Sequence, residues 1–473
     1  MSAATEQSLP LHEWSAAALV AAYSCRALSP VEVVQSALQH MEQWEPHIQA
    51  SYLLRPEQAL ASARASEVRW LSKQPLSALD GVPVTLKDNI ATEGDPSPLG
   101  TRATDGTPAL ADSPVAARLR EAGTVRLCKT TMPDYGMLSS GVSSFHPLSR
   151  NPWDTRMTPG GSSAGAAAAA AAGYGPLHVG TDIGGSLRLP ASWCGIFSLK
   201  PSLGRIPIDP PYTGRAAGPM TRSVGDAALM MRALSWPDER DSMSLPFAAI
   251  DWDNWDTPLS QLDGVRIGLL LEAGCGLPVD AEVQSAVLRA ARLLEGAGAI
   301  VTPVKPFLTR QMLDGMDRSW RMRSHLDLAA LPEERRSTVL PYIRAWADGA
   351  AGMSGTEVFQ SMSQFHATRV ATVAACNAFD YVISPTAPCV AFAAELPSPT
   401  NDPLRPLEHI AFTVPFNMSE QPAASINCGY THTGLPIGLQ IAGRRFDDLG
   451  VLQLSRAFEI LRGPQQPWPK PPV

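Results

Sequence analysis

Between residues 157 and 218 glycine, serine, alanine and proline crowd together while charged residues thin out, and within that stretch two Gly-Ser elements stand 24 positions apart. The first is Gly160-Gly161-Ser162-Ser163-Ala164-Gly165, which runs into a string of alanines; the second is Gly180-Thr181-Asp182-Ile183-Gly184-Gly185-Ser186. Paired glycines let the backbone approach another group closely and point consecutive N–H groups at one anion. A serine placed directly after such amides is positioned to attack a carbonyl whose developing oxyanion they hold. Ser186 is therefore the candidate nucleophile, with the N–H groups of Ile183, Gly184, Gly185 and Ser186 as candidate oxyanion donors. The alanine run after Gly165 reads as a closely packed helix. It lacks the Gly-Lys-Ser/Thr of a phosphate-binding loop.

A serine hydroxyl needs a base, and lysine serves only where burial lowers its pKa far below the ordinary ~10.4. Gly81-Val-Pro-Val-Thr-Leu-Lys87 reads as a short buried strand whose last residue is placed for that, although a lysine at a strand end is more usually a solvated cap. Upstream, Ser29, Pro30 and Glu32 have the form of a capped helix start, and apolar spacing predicts a helix over residues 30–43. Residues 58–72 read as a second helix, 265–271 as a buried strand, and 281–297 as a helix capped by Asp280 and ended by Gly298. Strand and helix alternate, which favours an α/β fold.

Length, at 473 residues, leaves one to three domains open. Apolar residues make up 45% and charged residues 18%, a composition that builds a large core. The net charge of −7, with no basic run, argues against direct contact with nucleic acid or an anionic membrane. No apolar stretch reaches the ~20 residues of a membrane span, and residues 16–23 follow Glu6, His12 and Glu13 rather than a basic flank, so they read as a helix start in a cytoplasmic protein. Seven cysteines, no two closer than 13 positions, and nine histidines without HExxH or HxH spacing support neither a disulfide framework nor a metal site. Residues 396–407 read as a surface loop and the proline-rich last ten residues as an extended tail.

Taken together, Gly-Val-Pro-Val-Thr-Leu-Lys87-Asp88-Asn89, Gly-Gly-Ser162-Ser163 and Gly180-Thr-Asp-Ile-Gly-Gly-Ser-Leu-Arg-Leu-Pro-Ala191 closely resemble the amidase signature family of Ser-Ser-Lys hydrolases. So do Asn151-Pro-Trp-Asp154, Cys194-Gly-Ile-Phe-Ser-Leu-Lys-Pro201, Pro415-Phe-Asn417 and Gly434-Leu-Pro-Ile-Gly-Leu-Gln440, and the resemblance spans most of the chain. It implies one α/β domain over residues 1–473, a twisted mixed sheet with helices on both faces. Residues 1–75 form N-terminal helices, 76–230 the core with the catalytic groups, 231–462 the rest of the sheet and a variable pocket region, and 463–473 the tail. It further implies Lys87 as base, Ser162 as the bridging serine in a cis peptide, and Ser186 as the acylated nucleophile. Gly136 and Met137, from the loop 135–140, and Ser163, Thr181 and Asp182 line or lead into the substrate site, and Arg188 braces the nucleophile. Neither metal nor organic cofactor is implied; the partner is a small amide, and a homodimer stays open.

Ala164 departs from the family's usual Gly-Gly-Ser-Ser-Gly-Gly, and its methyl narrows the loop without removing a reacting group. Ile183 and Leu189 stand where the family's amidotransferase subunits carry Thr and Gln, which favours a free-standing amidase over the alternative, a glutaminase-type A subunit of a tRNA-dependent amidotransferase. Two other readings compete. Gly161-Ser162-Ser163-Ala164-Gly165 matches the nucleophile elbow of a Ser-His-Asp esterase with Ser163 central and His325, His366, His409 or His432 as base, but residues 154–159 are no strand. The other is a catalytically silent binding protein. The segment 316–325, rich in Met, Arg and Trp, reads either as pocket wall or as an amphipathic surface helix, and no charged residue is assigned to a substrate carboxylate, which points to neutral amides.

Overall fold

Strand order explains how two sequence-distant stretches come to lie side by side. In the computed structural model, which describes residues 9–256 and 258–472, the strands are β1 (Ser51–Tyr52), β2 (Pro83–Lys87), β3 (Val125–Thr130), β4 (Leu177–Asp182), β5 (Phe197–Lys200), β6 (Ala216–Thr221), β7 (Arg266–Leu269), β8 (Ile300–Pro303), β9 (Tyr381–Pro385), β10 (Ala423–Tyr430) and β11 (Pro436–Gly443). They form one sheet in the order β1-β3-β2-β4-β6-β5-β10-β11-β9-β7-β8. Pairing of β2 with β3 and β4, and of β7 with β8 and β9, is parallel; the remaining pairs are antiparallel. The sheet is thus mixed, as expected for an α/β fold with helices on both sides.

The decisive pair is β2 beside β4. Val84 lies opposite Leu177, Thr85 opposite His178 and Leu86 opposite Val179, so the carboxyl end of β2 at Lys87 meets the carboxyl end of β4 at Thr181 and Asp182. Open parallel sheets bind ligands at this end of their strands. Every residue of β2 and β4 is buried, which follows from cover on both faces.

Part of that cover is the alanine helix, Ala164–Ala172, in which all nine residues are buried. Side chains larger than methyl have no room there. A Cβ added at Gly165 would sit 2.1 Å from the Ala50 carbonyl oxygen and 2.5 Å from Thr131 N. The helix packs with β3 and the Pro30–Ile48 helix around Val34, Met41, Trp44 and Leu127.

Pro30–Ile48 runs five residues beyond the expected end at 43, because Trp44 and Ile48 continue its buried stripe past Pro46, which falls in the last turn. The second helix spans Pro56–Leu71 and the later one Ala281–Gly296; Asp280 occupies the cap position of the latter without a side-chain hydrogen bond. Residues 463–472 carry neither helix nor strand, but they are anchored: Arg222 lies over the Trp468 ring at 4.5 Å and Trp153 packs 6.0 Å from it. Glu6 and Val473, part of the expected N-terminal flank and tail, lie outside the described residues. Among the described residues no helix is long and apolar enough to cross a membrane.

Candidate active site

Lys87 is fully buried, and its Nζ donates to Ser162 Oγ at 2.8 Å and to Thr181 Oγ1 at 3.1 Å. Burial holds its pKa well below that of a free lysine, and the charge of Arg215 pushes the same way, against the opposing pull of Asp182 and Asp88. Asn89 Nδ2 also donates to Thr181 Oγ1, at 3.1 Å, while Asp88 turns away and accepts from the Leu99 and Gly100 amides and from His146 Nε2. Asn89 thus reaches the lysine's partner, whereas Asp88 organises the adjoining loop.

Ser162 follows a cis Gly161–Ser162 peptide. Gly161 is required by crowding, since an added Cβ would lie 2.6 Å from both Ser140 N and Ser140 O. The neighbouring Ser163 is committed elsewhere: its Oγ donates to Thr181 O at 3.2 Å and accepts from Thr181 N at 3.3 Å, and its amide donates to Ser186 O at 3.3 Å. These bonds lace the first Gly-Ser element to β4 and the second. Residues 158–163 form no strand before Ser163, and its hydroxyl bonds backbone rather than a histidine, so the elbow geometry is not present.

Ser186, half-buried, faces a narrow cavity of about 60 Å³ that Gly136 and Met137 also line, as expected of the loop 135–140. Of the four amides expected to surround the oxyanion, one is otherwise engaged. Gly185 N–H donates to Asp182 Oδ1 at 2.8 Å, while those of Ile183, Gly184 and Ser186 have no hydrogen-bond partner among the described residues. The reason is the turn that Asp182 caps, because its other oxygen takes the Leu187 amide at 3.1 Å. Gly185, at φ +129°, is also the place where a side chain would strike Thr413 Oγ1, 2.6 Å from its Cβ position.

Asp182 therefore supports the loop instead of facing substrate. It is fully paired with Arg188 (2.9 and 3.0 Å), and Asn417 Nδ2 donates to it at 2.8 Å. Burial alone would raise its pKa; the Arg188 charge and these hydrogen bonds outweigh burial and hold it well below the carboxylate range. Arg188 spends its remaining donors on Thr413 O, Gln440 Oε1 and Asn417 Oδ1 at 2.6–2.8 Å. The bracing expected of Arg188 thus acts through Asp182 and three partners more than 220 residues away. Gln440 stands out in the sequence as a polar residue in the apolar run of β11, but its partner does not.

Sequence reasoning singles out no individual residue on the far wall. Trp320 and Arg323, on the helix Arg310–Ala329, line the cavity with Trp346, Leu407 and Ile410. The segment 316–325 is thus pocket wall on one face, while off that face Arg318 is exposed and Arg321 buried. A larger cleft of about 640 Å³ lies around the Arg310–Glu408 ion pair, but Arg310, Asp314, Asp317, Arg321, Arg405 and Glu408 pair with one another and no serine lines it among the described residues.

A hydroxyl held by a buried amine, beside a second serine and free backbone amides, defines the hydrolase class to which comparison then gives a family. The family model described as Amidase matches residues 32–452. The chain belongs to the amidase signature family, whose members hydrolyse carbon–nitrogen amide bonds. It is 33% identical to the A subunit of the glutamyl-tRNA(Gln) amidotransferase of Chloroflexus aggregans (strain MD-66 / DSM 9485), over 95% of this chain and 96% of that protein. It is 34% identical to the corresponding protein of Myxococcus xanthus (strain DK1622), over 93% and 96%. Among solved structures, a bacterial aryl acylamidase of the family superposes with a TM-score of 0.87 at 31% identity over 96% of this chain and 97% of that one. The native peptide amidase from Stenotrophomonas maltophilia gives 0.83 at 25% identity over 98% and 100%.

Proposed function

We propose that this chain hydrolyses a carboxylic amide through an acyl enzyme on Ser186. Neutral Lys87 accepts the Ser162 proton, Ser162 accepts that of Ser186 as Ser186 Oγ attacks the amide carbon, and the proton returns along the same path to the departing nitrogen. The Ile183, Gly184 and Ser186 amides receive the developing negative charge. Water then repeats the cycle on the ester and releases the acid. The observation that supports this reading most directly is the 2.8 Å approach of a fully buried lysine to Ser162. A fluorophosphonate followed by peptide mapping tests it: the adduct is expected on Ser186, and an adduct on Ser163, or full labelling of Ser186→Ala, overturns it.

A second reading is favoured by the curated relatives over a free-standing enzyme: that the chain is the glutamine-hydrolysing subunit of an amidotransferase and passes ammonia to partner subunits. Against it stand Ile183 and Leu189, which make the cavity apolar where the amidotransferase chains carry Thr and Gln. Glutamine selectivity together with subunits that co-purify would favour the complex; turnover of simple amides by the lone chain favours the free-standing amidase, alone or as a homodimer. All seven cysteines are free, which suits the cytoplasm.

A further inference from the structure

The wall opposite Ser186 is apolar but carries two unsatisfied donors. Trp320 and Arg323 stand three residues apart, on one face of their helix. Among the described residues, Trp320 Nε1 and Arg323 Nε are both buried without a hydrogen-bond partner. The Arg323 guanidinium lies over the Tyr212 ring at 4.8 Å, and its Nη2 meets only the thioether of Met137, at 3.6 Å, a weak acceptor. Its nearest carboxylate, Asp327, is 3.9 Å away and mostly exposed, beyond hydrogen-bond reach.

A second cation stands close by. Arg215, on the loop that holds Tyr212, has no hydrogen bond or ion pair to its guanidinium among the described residues, and its field is felt by both Arg323 and Lys87. Asp209 and Asp241 partly offset that charge. The two buried donors, Trp320 Nε1 and Arg323 Nε, are costly to leave without an acceptor unless a ligand supplies one.

We propose that Arg323, with Trp320 Nε1, receives a carboxylate of the substrate, so that the preferred amides carry an apolar segment ending in a carboxylate. Arg forks suit planar carboxylates. Among the described residues lining the cavity none is acidic, so an ammonium group has no partner there. The substrate class is accordingly an anionic amide rather than a zwitterionic amino-acid amide. This inference rests on Ser186 being the nucleophile of an amide hydrolase.

The test compares kcat/KM for the p-nitroanilide of hexanoic acid with the mono-p-nitroanilide of adipic acid. The second differs by a terminal carboxylate; a third anilide carries an added α-ammonium. In the wild type the adipic compound is expected to lead, and Arg323→Met to cut its advantage over the hexanoic compound by about 10- to 100-fold. Arg323→Lys should restore part of it. Trp320→Phe, which keeps an aromatic ring and removes the N–H, should cut the advantage several-fold. Equal ratios in wild type and Arg323→Met, or preference for the neutral or zwitterionic anilide, overturn the proposal. If the hexanoic anilide is hydrolysed and Ser186 labels, that failure is confined to the carboxylate site. If no anilide turns over and Ser186 does not label, the reading of the nucleophile falls and takes this inference with it.

Discussion

On the sheet side of the cavity, the working groups are held by backbone. Gly161 and Gly185 leave no room for a side chain, Ala164–Ala172 is wholly buried, and Asp182 and Arg188 satisfy each other and five further residues, Gly185, Leu187, Thr413, Asn417 and Gln440. On the helix side, the same cavity is bounded by Trp320, Arg323, Trp346 and Ile410, large side chains, two of them with donors left open. The floor is interlocked because the Asp182 and Arg188 side chains are satisfied and its glycines crowded, while the Ile183, Gly184 and Ser186 amides stay open. The wall is replaceable, since a side chain can change without moving the strand ends. Under the proposed mechanism, this division lets the same Lys87, Ser162 and Ser186 serve different amides.

Substitutions can break that contrast, and the floor should respond most. Ser186→Ala is expected to lower kcat/KM on the order of 10⁴-fold or more for every amide tried, with little change in thermal midpoint. A variant that keeps a tenth of the activity would remove Ser186 from the chemistry. Lys87→Met should reduce acylation comparably and also alter stability. A lysine whose native pKa is depressed holds fewer protons folded than unfolded, so stability rises with pH from the native pKa up to the unfolded value of about 10.5. Lys87→Met should therefore be more stable at neutral pH and show a flatter pH slope in denaturant titrations; an unchanged slope would mean that Lys87 is charged in the folded protein.

Arg188→Leu leaves the buried Asp182 carboxylate without its cation, which should cost about 3–5 kcal/mol in urea unfolding. A loss below about 1 kcal/mol would show the floor to be less interlocked than its hydrogen bonds indicate. Trp320→Ala, on the wall, should by contrast depend on substrate: KM for long apolar amides is expected to rise roughly 10-fold while small amides change less, following lost apolar burial. Equal effects on all substrates would place Trp320 with the floor. The smallest effect is expected from Ala164→Gly, which restores the family's usual residue at the first position of the helix. It should cost at most about 1 kcal/mol and change kcat less than about twofold.

Much of the floor is legible in the sequence because its determinants are local. Positive-φ and crowded positions demand glycine and an alanine run marks close helix packing, whereas a lysine ending an apolar strand is usually a solvated cap, and the motifs linked to Lys87 are what mark it as the candidate base. Strand β2, expected over 81–87, occupies Pro83–Lys87. Where sequence and structure part, a partner distant in sequence intervenes. Gly185 N–H is expected at the oxyanion, but Asp182, three residues back, takes it once Arg188 and Asn417 have fixed that carboxylate. The first long helix ends at Ile48 rather than at 43 because Trp44 and Ile48 are buried by a neighbour that the sequence does not reveal.

The sequence by itself therefore determined the fold class, the strand that ends in Lys87 and the grouping of Ser162, Ser163 and Ser186 on backbone-dominated loops, since sterics and backbone torsions act between near neighbours. Only the tertiary structure decided which amides stay free, what braces Arg188, and that Trp320 and Arg323 face the cavity with donors unspent. Those outcomes depend on side chains brought together across more than a hundred residues, where packing, and not local preference, sets which polar groups find partners.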